Sequence, residues 1–125
     1  MPFITNSIFS EIEKVHLEFV LSHDFPEKND VIEQLNYMKD AEITRDMTPY
    51  YWIMEFRPNG INAGHGPMRP YTDVEVLHGT EIAPTEFTLY ERNGVVFELE
   101  IYNADSSAMD LDTIMNGEVV VHSVD

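Results

Sequence analysis

Apolar residues recur at Ile8, Ile12, Val15 and Phe19, with Glu11, Lys14 and Glu18 falling between them. Spacings of four, three and four place the apolar set on one side of a helix. The pattern predicts a helix over 7–22, with His16 on its surface. The run His23-Asp24-Phe25-Pro26 interrupts it. Proline suits the first turn of a new helix, because the N–H it lacks would be unpaired there anyway. Val31, Ile32, Leu35 and Met38 form the stripe of that second helix, and the short link makes the two helices near neighbours in a hairpin or corner.

After Lys39 the texture turns β-branched and aromatic. A brief run around Ile43 precedes a buried strand over 50–56. Three glycines, three prolines and two asparagines between Arg57 and Tyr71 predict the longest loop there. Strand alternation resumes at Val74, Val76 and His78, and again at Phe87, Leu89 and Glu91. Arg92-Asn93-Gly94 then predicts a hairpin turn into Val95, Phe97, Leu99 and Ile101. A two-residue turn would oppose Leu89 to Glu98 and split the apolar residues between faces. A three-residue turn opposes Leu89 to Phe97 and Phe87 to Leu99, leaving Glu98, Glu100 and Tyr102 on the other face. Residues 109–115 read as irregular or briefly helical, Asn116-Gly117 as a turn, and 118–124 as a last strand. The expected fold is α+β: two N-terminal helices packed on an antiparallel β-sheet of about four to six strands, as a single domain over 1–125.

Charge changes the picture more than composition does. The 125 residues carry 23 Asp and Glu against 7 Lys and Arg, a formal net charge of −16. Residues 1–62 hold 11 acids and 5 bases, a balance of −6, and residues 63–125 hold 12 acids and 2 bases, a balance of −10. The sheet half is therefore the more acidic, and an extended negative surface is expected on its outer face. Such a surface repels nucleic-acid phosphates and attracts basic proteins. There is no cysteine, which excludes disulfides, thiolate chemistry and Cys-based metal sites. No basic n-region or long apolar run occurs, so neither a signal peptide nor a membrane partner is expected, and the protein is read as cytoplasmic.

Sequence motifs for catalysis fail one by one. The five histidines show no close metal-ligand spacing, and His78 and His122 could meet only if their strands pair; no metal or other cofactor is expected. Asp110-Leu111-Asp112 with Asn116-Gly117-Glu118 puts Ile114 and Met115 where a calcium loop needs a ligand and a glycine. No Gly-x-Ser-x-Gly elbow or Ser-x-x-Lys pair exists, and Gly64-His65-Gly66-Pro67 lacks the Lys-Ser or Lys-Thr of a phosphate loop. Two alternatives stay open beside a binding role. One is a small enzyme or ligand-binding domain using the loop over 57–71, with His65, Arg57 and Arg69. The other is a structural homo-oligomer paired through exposed strand edges.

The segments Phe25-Pro26-Glu27 with Val31-Ile32-Glu33-Gln34-Leu35, and Leu99-Glu100-Ile101-Tyr102-Asn103-Ala104-Asp105-Ser106-Ser107, resemble those of a family of small uncharacterised bacterial domains over roughly residues 10–122. In that family the helix opener is usually Phe-Pro-Gly and the strand motif ends Ala-Asp-Gly-Ser, so Glu27 and Ser106 stand in place of two glycines. The resemblance carries no catalytic residue. By type, a small acidic cysteine-free α+β chain also resembles the cytoplasmic immunity proteins that accompany secreted or contact-delivered toxins. That likeness implies a non-catalytic protein that occludes the basic active site of a toxin, such as a nuclease. The expected contacts are Glu98, Glu100 and Tyr102 on the hairpin, Asp73 and Glu75 on the preceding strand, and Asp105, Asp110 and Asp112 in the terminal segment.

Overall fold

Ser10 opens the first helix, α1, over Glu11–Leu21. Its hydroxyl accepts from the Glu13 N–H, while the Glu13 carboxylate accepts from the Ser10 N–H. This reciprocal pair satisfies two donors that a helix start leaves open, so the helix begins at Glu11 and not at Ser7. The chain before it is irregular and pinned by side chains. The Glu18 carboxylate accepts from the N–H groups of Phe3 and Ile4, and the Asn6 amide donates to the carbonyls of Leu35 and Met38. The computed structural model describes residues 2–57, 66–77, 84–105, 107–109 and 116–122.

The buried side of α1 differs from the expected stripe. Glu13, His16, Leu17, Val20 and Leu21 are buried, whereas Ile12 is 54% and Val15 49% exposed. The helix is apolar on two sides, and the side carrying Leu17, Val20 and Leu21 faces the sheet, where Glu13 finds an ion pair and His16 a ring contact, although His16 Nδ1 has no hydrogen-bond partner. Arg45 donates from Nε to Glu13 Oε2 at 2.6 Å and from Nη2 to Glu13 Oε1 at 3.2 Å, and also binds Asp40 and the Ile8 carbonyl. A bidentate charged pair of this kind compensates burial of the carboxylate. His16, placed on the surface by the sequence pattern, is 1% exposed and meets the Trp52 ring edge to face at 4.1 Å between centroids. Burial pushes its pKa down to about 4, against a weaker opposing pull from Glu13.

Helix α2 spans Lys28–Asn36 and buries Val31 and Leu35. Pro26 and Glu27 form the turn ahead of it. Glu27 precedes the helix with φ 66° and ψ 15°, in the left-handed region, and its side chain makes no capping bond. A backbone position of this kind favours glycine over a residue with a Cβ.

A short 3₁₀ turn at Asp40–Glu42 leads into six strands: β1 Ile43–Met47, β2 Tyr51–Phe56, β3 Arg69–Leu77, β4 Thr85–Arg92, β5 Val95–Asn103 and β6 Glu118–His122. All neighbours are antiparallel in the order β1-β2-β5-β4-β3-β6. The fold is thus α+β, with α1 over β4 and α2 over β5. Between them lies the core, including Leu17, Val20, Val31, Leu35, Met54, Phe56, Phe87, Leu89, Leu99 and Ile101. Strand β2 buries Trp52, Met54 and Phe56 but leaves Tyr51, Ile53 and Glu55 half-buried, so it is covered on one face only. Since β3 begins at Arg69, the expected loop to Tyr71 ends sooner. Within that loop, residues 58–65, including His65, lie outside the described residues. So do His78, Ser106, Asp110, Asp112 and the other residues of 110–115.

The β4–β5 hairpin corrects the expected turn. Asn93 and Gly94 alone form it, with φ of 54° and 80°, the positive pair that a two-residue turn matched to strand twist requires. Arg92 pairs with Val95 and Glu91 with Val96, after which the register shifts so that Tyr90 pairs with Glu98, Leu89 with Leu99 and Phe87 with Ile101. The extra residue is Phe97. It lies outside the core cluster, under the Arg92 guanidinium at 4.0 Å from the ring centroid. A bulge of one residue restores the separation of faces that the bare two-residue turn would lose. Beyond the bulge Leu99 and Ile101 keep the expected inward face with partners displaced by two residues, whereas before it Val96 enters the core in place of the expected Val95 and Phe97. The Gln34 side chain locks α2 to this hairpin, accepting from the Val96 N–H at 2.8 Å and donating to the Gly94 carbonyl at 3.1 Å.

Replacing Glu27 with glycine removes the side-chain penalty of the left-handed conformation, roughly 1–2 kcal/mol, against a smaller entropic cost of glycine in the unfolded chain. Glu27→Gly is expected to raise unfolding stability by about 1 kcal/mol in a denaturant titration. A loss of stability would show that the Glu27 side chain holds the turn in a way its backbone angles do not express.

Candidate functional site: an acidic sheet face

Successive side chains of a strand point to opposite faces, and both helices cover the same one. The other face is laid out by the strand pairings. Across β2 and β5, Tyr51 opposes Tyr102, Ile53 opposes Glu100 and Glu55 opposes Glu98. On β4 the same side carries Glu86 beside Tyr102, Thr88 beside Glu100 and Tyr90 beside Glu98. On β3 it carries Asp73 opposite Thr88 and Glu75 opposite Glu86. Edge strand β6 adds His122 opposite Asp73 and Val120 opposite Glu75.

Five of the eight expected contact residues thus converge on one face: Asp73, Glu75, Glu98, Glu100 and Tyr102. Asp105 does not join them. It is exposed in the turn after β5, where its carboxylate accepts from the Ser107 N–H at 2.9 Å, and hydrogen bonding by Ser107 holds its pKa below the ordinary value. Asp110 and Asp112 lie outside the described residues. The alternative built on Arg57 and Arg69 gains no convergence from the fold. Arg57 follows β2 and pairs with Glu55 at 3.1 Å, while Arg69 begins β3. Two strands intervene, so the two backbones are about 14 Å apart at the usual strand spacing.

Glu86, Glu55 and Tyr90 belong to the face as fully as the residues singled out from sequence. The signal for Glu86 was present in its alternation with the buried Phe87 and Leu89. What sequence could not supply was the pairing of β3 with β4, which sets Glu75 directly against Glu86. Side chains so placed have Cβ atoms about 5 Å apart, and like charges there are destabilising.

The cost of this crowding appears in the proton affinities. Desolvation first, then hydrogen bonding and repulsion from Asp73 and Glu75, push the Glu86 pKa up to about 8. Desolvation and the adjoining Glu100 and Glu55 push Glu98 up to about 7, with Arg92 pulling the other way. Among the described residues, no lysine or arginine is within ion-pair distance of Asp73, Glu75, Glu86, Glu98 or Glu100. The polar neighbours that do reach them are Thr88, which donates to Asp73 at 3.2 Å, and His122, whose Nε2 lies 3.3 Å from Glu75 Oε2. Tyr90 and Tyr102 stand between the carboxylates as half-buried rings with a polar tip. The face offers clustered acceptors and aromatic surface, a chemistry for receiving cations.

A carboxyl whose pKa is raised in the folded protein keeps a proton that the unfolded chain has released. Stability should therefore fall as pH rises from about 4.5 to about 8 on account of Glu86 and Glu98. His16 acts oppositely: its lowered pKa of about 4 removes stability as pH falls from about 6.5 toward 4. Urea unfolding is expected to give a higher midpoint at about pH 6 than at about pH 8.5, and Glu86→Gln to flatten most of that difference. An equal slope in the variant would place the repulsion elsewhere.

No helix among the described residues is long and apolar enough to cross a membrane. The chain matches no family model, no curated protein and no solved structure.

Proposed function

We propose that this protein is a non-catalytic binding protein whose acidic sheet face docks a basic protein, and that it serves as a cytoplasmic immunity protein neutralising a bacterial toxin by covering a basic active site. The observation that carries this reading is the convergence of Asp73, Glu75, Glu86, Glu98 and Glu100, all half-buried, on the sheet face opposite the helices. Glu86 and Glu98, whose burial and acidic neighbours raise their proton affinity to near neutral pH, are poised for a partner's guanidinium and ammonium groups, which would take the place of those protons. Arginine matches carboxylates bidentately, as it does phosphates. An acidic face can therefore occupy the groove through which a nuclease draws its substrate. Tyr90 and Tyr102 supply aromatic anchors of the kind that dominate interface energies. Six strands at about 4.8 Å give a platform roughly 24 Å wide, enough to cover a cleft of that kind.

The test is affinity capture by the tagged protein from its native cell, with the products of neighbouring genes expressed, binding at low salt and eluting at high salt. A basic protein whose toxic activity is suppressed in the complex is expected. Glu98→Lys with Glu100→Lys should slow association at least about tenfold at low salt, because steering depends on the local field. The unfolding midpoint should hold or rise as repulsion is relieved. Complex formation should also release protons, and affinity should rise between about pH 6 and pH 8, since a cationic partner favours the ionised forms of Glu86 and Glu98. Capture that survives the double charge reversal unchanged would remove this face from the interface.

A further inference from the structure

At the β6 end of the face, three strands bring a histidine together with two of the carboxylates on which the docking reading also draws. Glu75 on β3 stands directly opposite Glu86 on β4, and His122 on β6 is opposite Asp73, one step along the same side. One donor atom from each of Glu75, Glu86 and His122 lies within 4.8 Å of the other two. The Glu75 Oε2 to His122 Nε2 separation is 3.3 Å. A tetrahedral zinc ion with bonds of about 2.1 Å sets its ligands about 3.4 Å apart, so one edge of the coordination polyhedron is already in place. The third ligand, Glu86, lies no more than 4.8 Å from the other two, so reaching a tetrahedral edge takes at most a closure of about 1.4 Å.

We propose that Glu75, Glu86 and His122 form a binding site for a zinc-class divalent cation, stapling edge strand β6 to the sheet. One imidazole nitrogen with two carboxylates is a borderline donor set. It suits zinc, whereas magnesium and calcium take oxygen ligands and gain little from a histidine. The like charges at Glu75 and Glu86, set directly opposite each other on neighbouring strands, are what a divalent ion would neutralise. Asp73, which accepts from Thr88 at 3.2 Å, stands beside the set as a further negative charge. Among the described residues strand β6 pairs only with β3, so a metal bridge from His122 to β3 and β4 would add a hold that backbone bonds on one side do not provide.

The experiment uses the full chain, freed of metal by chelation and without any partner protein, so its outcome is separate from that of the docking test. Zinc chloride titrated by calorimetry is expected to bind one ion per chain at this site and to raise the thermal midpoint, with magnesium at equal concentration doing neither. His122→Gln and Glu86→Gln should each weaken zinc binding at least about tenfold, since even groups that merely orient ligands cost ten- to hundredfold when removed. Glu98→Gln, on the same face but away from the three ligands, should bind zinc as the parent does. Three results would overturn the site: zinc affinity indifferent to His122→Gln, an equal loss in Glu98→Gln, or equal binding of magnesium. The last two would reduce the effect to diffuse attraction by an acidic surface.

Discussion

The composition of the outer face depends on one inserted residue. A two-residue turn at Asn93-Gly94 followed by an unbroken ladder would place Leu89 against Glu98, mixing apolar and acidic side chains on both sides of the sheet. Phe97 absorbs the mismatch as a bulge, and beyond it Leu89 meets Leu99 and Phe87 meets Ile101. Because side-chain direction has a period of two, one residue decides the facing of the rest of β5. It also brings Tyr90 and Thr88 beside Glu98 and Glu100, so the hydrophobic core and the acidic platform follow from the same local event. Gln34 fastens α2 to the bulged segment through the Val96 N–H, tying helix position to strand register.

The two sides treat buried charge in opposite ways. On the core side Glu13 is 3% exposed, yet Arg45 engages both its oxygens and Asp40 backs the arginine. The arginine's own pKa is raised by that partnership. On the outer side Glu75 opposes Glu86 and Glu55 opposes Glu98, and burial together with these and other acidic neighbours makes Glu86 and Glu98 hold their protons more tightly. A chain able to neutralise an acid so thoroughly at Glu13 leaves its sheet face electrostatically frustrated. Such local conflict with stability is expected where a surface meets something outside the fold.

Much of the architecture was legible because strand alternation is a short-range signal. Val74 and Val76, Phe87 and Leu89, and Leu99 and Ile101 identify their strands and their inward faces without any knowledge of neighbours. The sequence pattern of α1 points to the wrong face because Ile12 and Val15 form as good a stripe as Leu17, Val20 and Leu21. The choice was made by Arg45 and Trp52, which lie about thirty residues or more downstream and give Glu13 and His16 their partners. The register at Phe97 is hidden for a related reason, since a turn sequence specifies the turn but not an irregularity three residues beyond it. Grouping Glu98 with Glu100 needed only one strand. Placing Glu86 against Glu75, or His122 within reach of both, needed pairings between strands that sequence pattern leaves unspecified.

The strand order also governs when the molecule can form. Strand β2 finds its inner neighbour only in β5, whose paired residues begin more than forty positions later, and α2 rests on that same strand. During synthesis the two helices and the β1–β2 pair emerge first, with Met54, Phe56, Val31 and Leu35 lacking the surface they will share. Non-local closure of this sort is slow, and it leaves an open strand edge and apolar groups accessible in the meantime. The Asn93-Gly94 hairpin is the local event that ends the wait: once β4 and β5 have paired, they offer a docking surface to both helices and an edge to each flanking strand. Nascent chains halted before that hairpin would carry a helical half with nothing to fold against, making this short turn the point at which the growing polypeptide commits to its native shape.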